Sequence, residues 1–256
     1  MPRYSRAFYD QYADESARSA RRVIPWLIEA LAPSSVIDVG CGIGTWLSVF
    51  RELGVTNVFG VDGSYVDHSQ LRIPADRFVS ADLARGFVLP VTAPSQFDIA
   101  ISLEVAEHLH AEHAETFVAR LVSLAPVVVF SAAIPRQGGD HHVNEQWPDY
   151  WSARFEDAGY RTVDWLRPRI WNDADVAYYY AQNTLLFVAP ERLASLSALH
   201  GAIADRADPT LARVHPRKWL EATDPKHLHL RHALAGLPYA IRNMLSFRVA
   251  QLVRNR

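Results

Sequence analysis

"VIDVGCGIGTW", residues 36–46, decides the fold. Val36, Ile37 and Val39 form an apolar run around Asp38, and glycines follow at 40, 42 and 44. Trp46, Leu47, Val49, Phe50 and Leu53 then recur at helical spacing. A buried strand, a tight turn and an amphipathic helix are predicted in that order. Side chains are cleared from the turn, which points to a ligand lying on it.

Working outward, strand-like runs follow at residues 57–62, 78–83, 97–104, 127–135, 160–167 and 182–190. Helical patterns fall at 15–31, 45–53, 111–124 and 148–158. This alternation predicts an α/β fold: a doubly wound, seven-stranded, mostly parallel sheet with helices on both faces. No helix is evident between the last two runs, so the sheet is expected to end in an antiparallel pair. Beyond Pro190 the pattern is helical only, and Gly236 and Pro238 are expected to stop one helix and start the next. The expected organisation is a helical cap at residues 1–34, the α/β domain at 35–190 and a helical extension at 191–256.

A chain of 256 residues suits one large domain with a small appendage. Its longest apolar stretch, Val127 to Ile134, is far too short to span a bilayer. The opening "MPRYSRAFYDQYADES" has no apolar signal core, and the single cysteine, Cys41, forms no internal disulfide. Both point to a cytoplasmic location. The net charge of −2 conceals nine Lys/Arg against two acids in residues 213–256, a balance of +7 that leaves −9 elsewhere. A basic tail suits an acidic partner, a membrane surface or nucleic acid, but a solvated helical face is the plainer expectation.

Ligands of open α/β sheets sit beyond the carboxyl ends of the strands, and the first glycine turn is their usual cradle. No lysine beside Ser/Thr follows these glycines, as a triphosphate loop needs, and Thr45 stands where a dinucleotide fold wants its third glycine. The pattern present is D-x-G-x-G-x-G: Asp38, Gly40, Gly42 and Gly44. That spacing suits a ligand with an amino-acid tail. Asp62 ends the second strand, where a carboxylate accepts ribose hydroxyls. Asp82 follows in "FVSADL", placed for an adenine amino group, with the Leu83 backbone facing the ring. Leu103, at the end of the fourth strand, is placed in the same pocket.

In this order of elements, residues 35–190 resemble the class I S-adenosylmethionine-dependent methyltransferases. The resemblance implies S-adenosylmethionine as cofactor and methyl transfer as the activity. "EVAEH" (residues 104–108) is similar to the Glu-x-x-Glu-His of ubiquinone-pathway O-methyltransferases and small-RNA 2′-O-methyltransferases. There the acids and histidine hold a divalent cation beside the acceptor hydroxyls. Carried over, the ligands are Glu104, Glu107 and His108, with His142 of "GGDHHVNEQW" as a fourth; Mg²⁺ or another divalent cation such as Mn²⁺ is the expected ion, and His108 would make the site tolerant of Zn²⁺. His142, His141 and Glu104 are the expected catalytic residues, His142 foremost, with Asp140 placed to orient its ring.

Trp147, Trp151 and Phe155 are expected as the buried stripe of a helix, with Tyr150 at the acceptor pocket. Tyr4, Phe8, Tyr9, Tyr12, Ser16, Arg18 and Ser19 are candidates to close over the cofactor. The stretch "GGDHHVNEQWPDYW … YYYAQNTLLFV" looks like methyltransferases of bacterial polysaccharide and natural-product pathways. The resulting expectation is O-methylation of a small polar acceptor such as a sugar or glycosylated metabolite, with a homodimer as one possible assembly. An RNA 2′-O-methyltransferase and a non-catalytic cofactor-binding subunit stand as alternatives.

Overall fold

Ser35 to Val39 extend as β1, and all five residues are buried. Burial on both faces is the mark of a central strand in a covered parallel sheet. The computed structural model describes residues 6–204, 208–224, 226 and 234–244, with side chains from residue 14 onward. Six more strands follow: β2 (Asn57–Asp62), β3 (Phe78–Ser80), β4 (Ile99–Leu103), β5 (Val127–Ser131), β6 (Arg161–Val163) and β7 (Leu185–Val188).

Their order across the sheet is β3-β2-β1-β4-β5-β7-β6. β7 runs antiparallel to both neighbours, as the sequence suggests, and the remaining pairs are parallel. β1 lies between β2 and β4, so the winding reverses there. That switch point opens a crevice at the carboxyl ends of β1 and β4, the usual ligand position.

Alternate residues of each strand feed opposite cores. Val36, Ile99, Ile101, Val127 and Val129 pack beneath α1 (Arg6–Leu31) and α2 (Thr45–Glu52), with Ala20, Ile24, Leu27, Leu47 and Phe50. Ile37, Val39, Val128, Phe130 and Phe187 pack beneath α3 (Ala114–Leu124) and α4 (Pro148–Asp157), with Phe117, Leu121, Trp151 and Phe155. Phe155 stacks on Phe187 with ring centroids 3.8 Å apart. Trp147, expected in this buried stripe, is instead the partly exposed residue preceding α4, because the helix begins only at Pro148.

Two helices not expected from the sequence join β6 to β7: α5 (Arg167–Ile170) and α6 (Tyr178–Asn183). Four and six residues are too few to leave a 3.6-residue periodicity. Arg167 is fully buried and holds Asp164 through two hydrogen bonds, at 2.8 and 2.7 Å, while donating to the carbonyls of Gln182 and Leu211. α6 is tied to α1: Tyr179 Oη donates to Glu15, the Tyr180 hydroxyl meets that of Ser16, and the Ala177 N–H donates to Ser19.

The chain divides into two compact units, residues 1–215 and 216–256. Residues 191–215, expected with the extension, therefore belong to the sheet unit. α7 (Pro190–Ala194) follows β7 directly, Ile203 bridges to Val163, and Ala204 N–H donates to Thr162. The second unit contains α8 (Pro216–Thr223), and residues 234–244 are helical throughout. Gly236 and Pro238 thus do not separate two helices there. A proline removes one backbone hydrogen bond without obligatorily ending a helix, as Pro25 inside α1 also illustrates. Among the described residues, no helix is long and apolar enough to cross a membrane.

Candidate active site

The turn after β1 takes the left-handed conformation at Gly40, Gly42 and Gly44. A Cβ on Gly40 would stand 2.3 Å from Val105 Cγ2, so a side chain there would break the packing of turn against β4. A Cβ on Gly42 would meet nothing within 4 Å, so the space above it is open. Gly40 closes the fold and Gly42 leaves room for a ligand.

Two buried carboxyls, Asp38 and Asp62, border this space. Asp62 accepts from the backbone N–H of Gly42 and of Gly63, each at 2.6 Å, and from the Tyr65 hydroxyl. Burial pushes both carboxyls above the usual carboxylate range, and Asp62 raises Asp38 further. Such a pair repels phosphate and favours a cationic group, which would restore its ionised form. Asp82 lies two residues past β3, largely exposed, accepting from Ala84 N–H at 3.1 Å and pairing with Arg85 at 3.4 Å. Leu83 and Leu103 are partly buried, against opposite cores.

Glu104 follows β4 with φ 55, a costly value for a residue with a side chain. Hydrogen bonds hold it there. Its N–H donates to the carbonyl and hydroxyl of Ser131. Its carboxylate accepts from Gln137 Nε2 at 2.6 Å and from Asn183 Nδ2 at 3.0 and 3.3 Å. Gln182, fully buried, extends the network by donating to Gln137 and accepting from His215 N–H. Burial raises the Glu104 carboxyl to about 7, against the pull of Asn183, Ser131 and Gln137.

Glu107, His108 and His142 present ligand-type atoms all within 4.8 Å of one another. Glu107 is fully buried, and neither carboxylate oxygen has a hydrogen-bond partner among the described residues. Burial and then Glu104 push its carboxyl well up. The Glu107 carbonyl accepts from Val143 and Asn144, which seats the histidine loop on the β4 end. His142 Nδ1 lies 3.0 Å from Glu145 Oε1, and its ring meets His108 edge-on at 4.9 Å. Burial and His142 lower His108 to about 4, so its ring is neutral at pH 7.

Residues 9–168 match the model of a family described as the methyltransferase domain. The chain belongs to that family. No curated protein sequence matches this methyltransferase. Among solved structures it is similar to Streptomyces venezuelae DesVI at 17% identity and a TM-score of 0.52, over 72% of this chain and 95% of that one. It is also similar to magnesium protoporphyrin IX methyltransferase from Synechocystis PCC 6803 with bound S-adenosylhomocysteine, at 17% identity and a TM-score of 0.47, over 71% and 87%. An O-methyltransferase family protein from Burkholderia thailandensis matches at 16% and 0.48, over 71% and 59%. At these identities DesVI supports the fold, and the family match supplies the activity: S-adenosylmethionine-dependent methyl transfer.

The methyltransferase gathers Glu107, His108 and His142 as the sequence suggests, but Glu104 stands apart from this group. Its oxygens are taken by two amides, leaving one carboxylate and two imidazoles as the donor set. The unpartnered Glu107 oxygens and the neutral His108 ring fit a divalent cation. Mixed nitrogen and oxygen ligands suit Zn²⁺ or Mn²⁺ better than the all-oxygen preference of Mg²⁺. Among the described residues the His142 ring is held by Glu145 rather than Asp140, and the loop is left-handed at Gly138 and His141. His141 is exposed. Tyr150 turns its ring under Arg154, and its hydroxyl is buried.

Ser16 and Ser19 bind α6 and its approach, Arg18 is exposed, and the side chains of Tyr4, Phe8, Tyr9 and Tyr12 lie outside the described residues. Sequence reasoning missed Gln137, Gln182 and Asn183. One signal was available: "QN" is an amide pair placed directly before the apolar run of β7, where an unpaired polar group would be costly.

Proposed function

We propose that this methyltransferase acts on a hydroxyl of a small polar acceptor, such as a sugar or a glycosylated metabolite. The observation that carries the reading is the cluster of Glu107, His108 and His142 beside the carboxyl ends of β4 and β5, with a buried carboxylate left unpartnered. The methyl of a sulfonium is already activated, so the enzyme needs in-line placement and a deprotonated nucleophile. A hydroxyl is a weak nucleophile until it gives up its proton, and this cluster is suited to assist. No aromatic-flanked Asn-Pro-Pro-Tyr follows β4, where enzymes acting on amino groups of bases or glutamine often carry one.

Asp38, Gly42 and Asp62 hold the cofactor, with Asp62 on the ribose and Asp82 toward the adenine. Glu107, His108 and His142 would hold a divalent cation, which when bound lowers the pKa of an acceptor hydroxyl. His142, fixed at Nδ1 by Glu145, presents Nε2 either as a cation ligand or as the proton acceptor. Both uses need the same ring orientation. Glu104 is a fixed carboxylate at the cofactor end of β4, held by Asn183 and Gln137. Methyl transfer from S-adenosylmethionine to a panel of hydroxyl acceptors, with and without EDTA, tests the reading.

A further inference from the structure

Resting on the assignment of Asp62 to the cofactor ribose, we infer that Tyr65 is a side-chain latch on that site, occupying the place of a ribose hydroxyl and leaving when the cofactor binds. A carboxylate offers about four lone-pair positions. In Asp62 three are taken: Gly42 N–H on Oδ2, and Gly63 N–H with the Tyr65 hydroxyl on Oδ1. About one remains, whereas the two hydroxyls of a ribose need two. One donor has to go.

The two amides are backbone groups of the glycine turn and of the β2 end, and they cannot leave without unmaking the site. Tyr65 is a side chain, and 49% of the residue is exposed. Gly63 provides the seat. A Cβ at that position would lie 2.1 Å from Tyr65 Cε1, so any other residue would push the ring off. Ring and hydroxyl together keep a buried carboxylate satisfied in the free enzyme, which would otherwise be left under-bonded. The cofactor therefore binds in competition with an intramolecular hydrogen bond, and its affinity is set below what Asp62 alone would give. Rotation of a half-exposed ring takes it out to solvent without moving the sheet.

Tyr65→Phe keeps the ring and removes the competitor. Calorimetry with S-adenosylhomocysteine should show roughly tenfold tighter binding to this variant than to the wild type, the worth of one ordinary hydrogen bond. The 2′,3′-dideoxy form of the same ligand demands no lone pairs from Asp62, so its affinity should be equal for both proteins. Unchanged or weaker binding of S-adenosylhomocysteine to Tyr65→Phe overturns the latch. So does an equal gain for the dideoxy ligand. Failure of the wild type to bind S-adenosylhomocysteine at all would instead remove the cofactor assignment on which the latch rests.

Discussion

Nε2 of His142 stands 3.9 Å from Oε1 of the fully buried Glu107. If His142 Nδ1 donates to Glu145, Nε2 carries a lone pair, and the Glu107 oxygen opposite carries another. Burial favours a proton on Glu107, and a cation that displaced it would find a carboxylate oxygen and an imidazole lone pair facing each other. A divalent cation suits that pair, with Glu145 orienting a ligating ring from behind. Metal-free protein should therefore gain stability on addition of Zn²⁺ or Mn²⁺. At a hundredfold excess over Kd the gain is about 2.7 kcal/mol, or roughly 5–10 °C in Tm. Glu107→Gln should abolish the shift in a thermal melt, and an equal shift in that variant would remove the cation from the account.

Replacing His142 with alanine should lower kcat by roughly 10²–10⁴-fold, the range for losing a general acid–base group. S-adenosylhomocysteine binding should be unaffected, because the residues proposed to hold the cofactor, Asp38, Gly42, Asp62 and Asp82, do not include His142. Activity that survives both this change and EDTA would leave proximity as the source of catalysis. A more acidic acceptor, such as a phenol, would then fit better.

Asp62→Ala removes the carboxylate from the cofactor side. Affinity for S-adenosylhomocysteine should fall by about 1.5–3 kcal/mol, the usual worth of hydrogen bonds to a charged group. NAD and ATP should not bind the wild type, since paired carboxyls at the turn disfavour phosphate. Calorimetry showing NAD bound by the wild type would contradict this.

The sheet was legible because each strand is a short apolar run and each glycine stop is explicit, as in residues 36–44. The antiparallel end was legible too, from the missing helical period before "QNTLLFV". What escaped depends on distance in space. Glu104 reads as a ligand next to Glu107 and His108, yet Asn183, 79 residues away, takes up its carboxylate. Glu145, not Asp140, meets the His142 ring, a choice that sequence spacing does not encode. α5 and α6 are too short for a period to show, and the fully buried Arg167 among them has no sequence signal at all.

Asp98 accepts four hydrogen bonds from the backbone and hydroxyls of Ser34 and Ser35, joining the start of β1 to that of β4. Partial burial pushes its carboxyl up, but these donors outweigh it and hold the group below its usual value. A depressed folded pKa means stability that is present above the unfolded value and lost as pH falls through the folded one. Asp98→Ala should thus destabilise by about 1–3 kcal/mol at neutral pH. In urea titrations that difference should be constant from pH 5 to 8 and shrink below about pH 4. A difference that grows in acid would contradict the sign.

The most direct test of the central claim is where the methyl goes. S-adenosylmethionine carrying an isotopic methyl should be incubated with the enzyme, Mn²⁺ and a panel of sugars, glycosylated metabolites, amines and RNA, followed by mass spectrometry and NMR of any product. The account predicts a product one methylene heavier with the label on a hydroxyl oxygen of a small polar acceptor, and its loss in the His142→Ala enzyme. Label found only on nitrogen, or only on RNA in a salt-sensitive reaction, would contradict it.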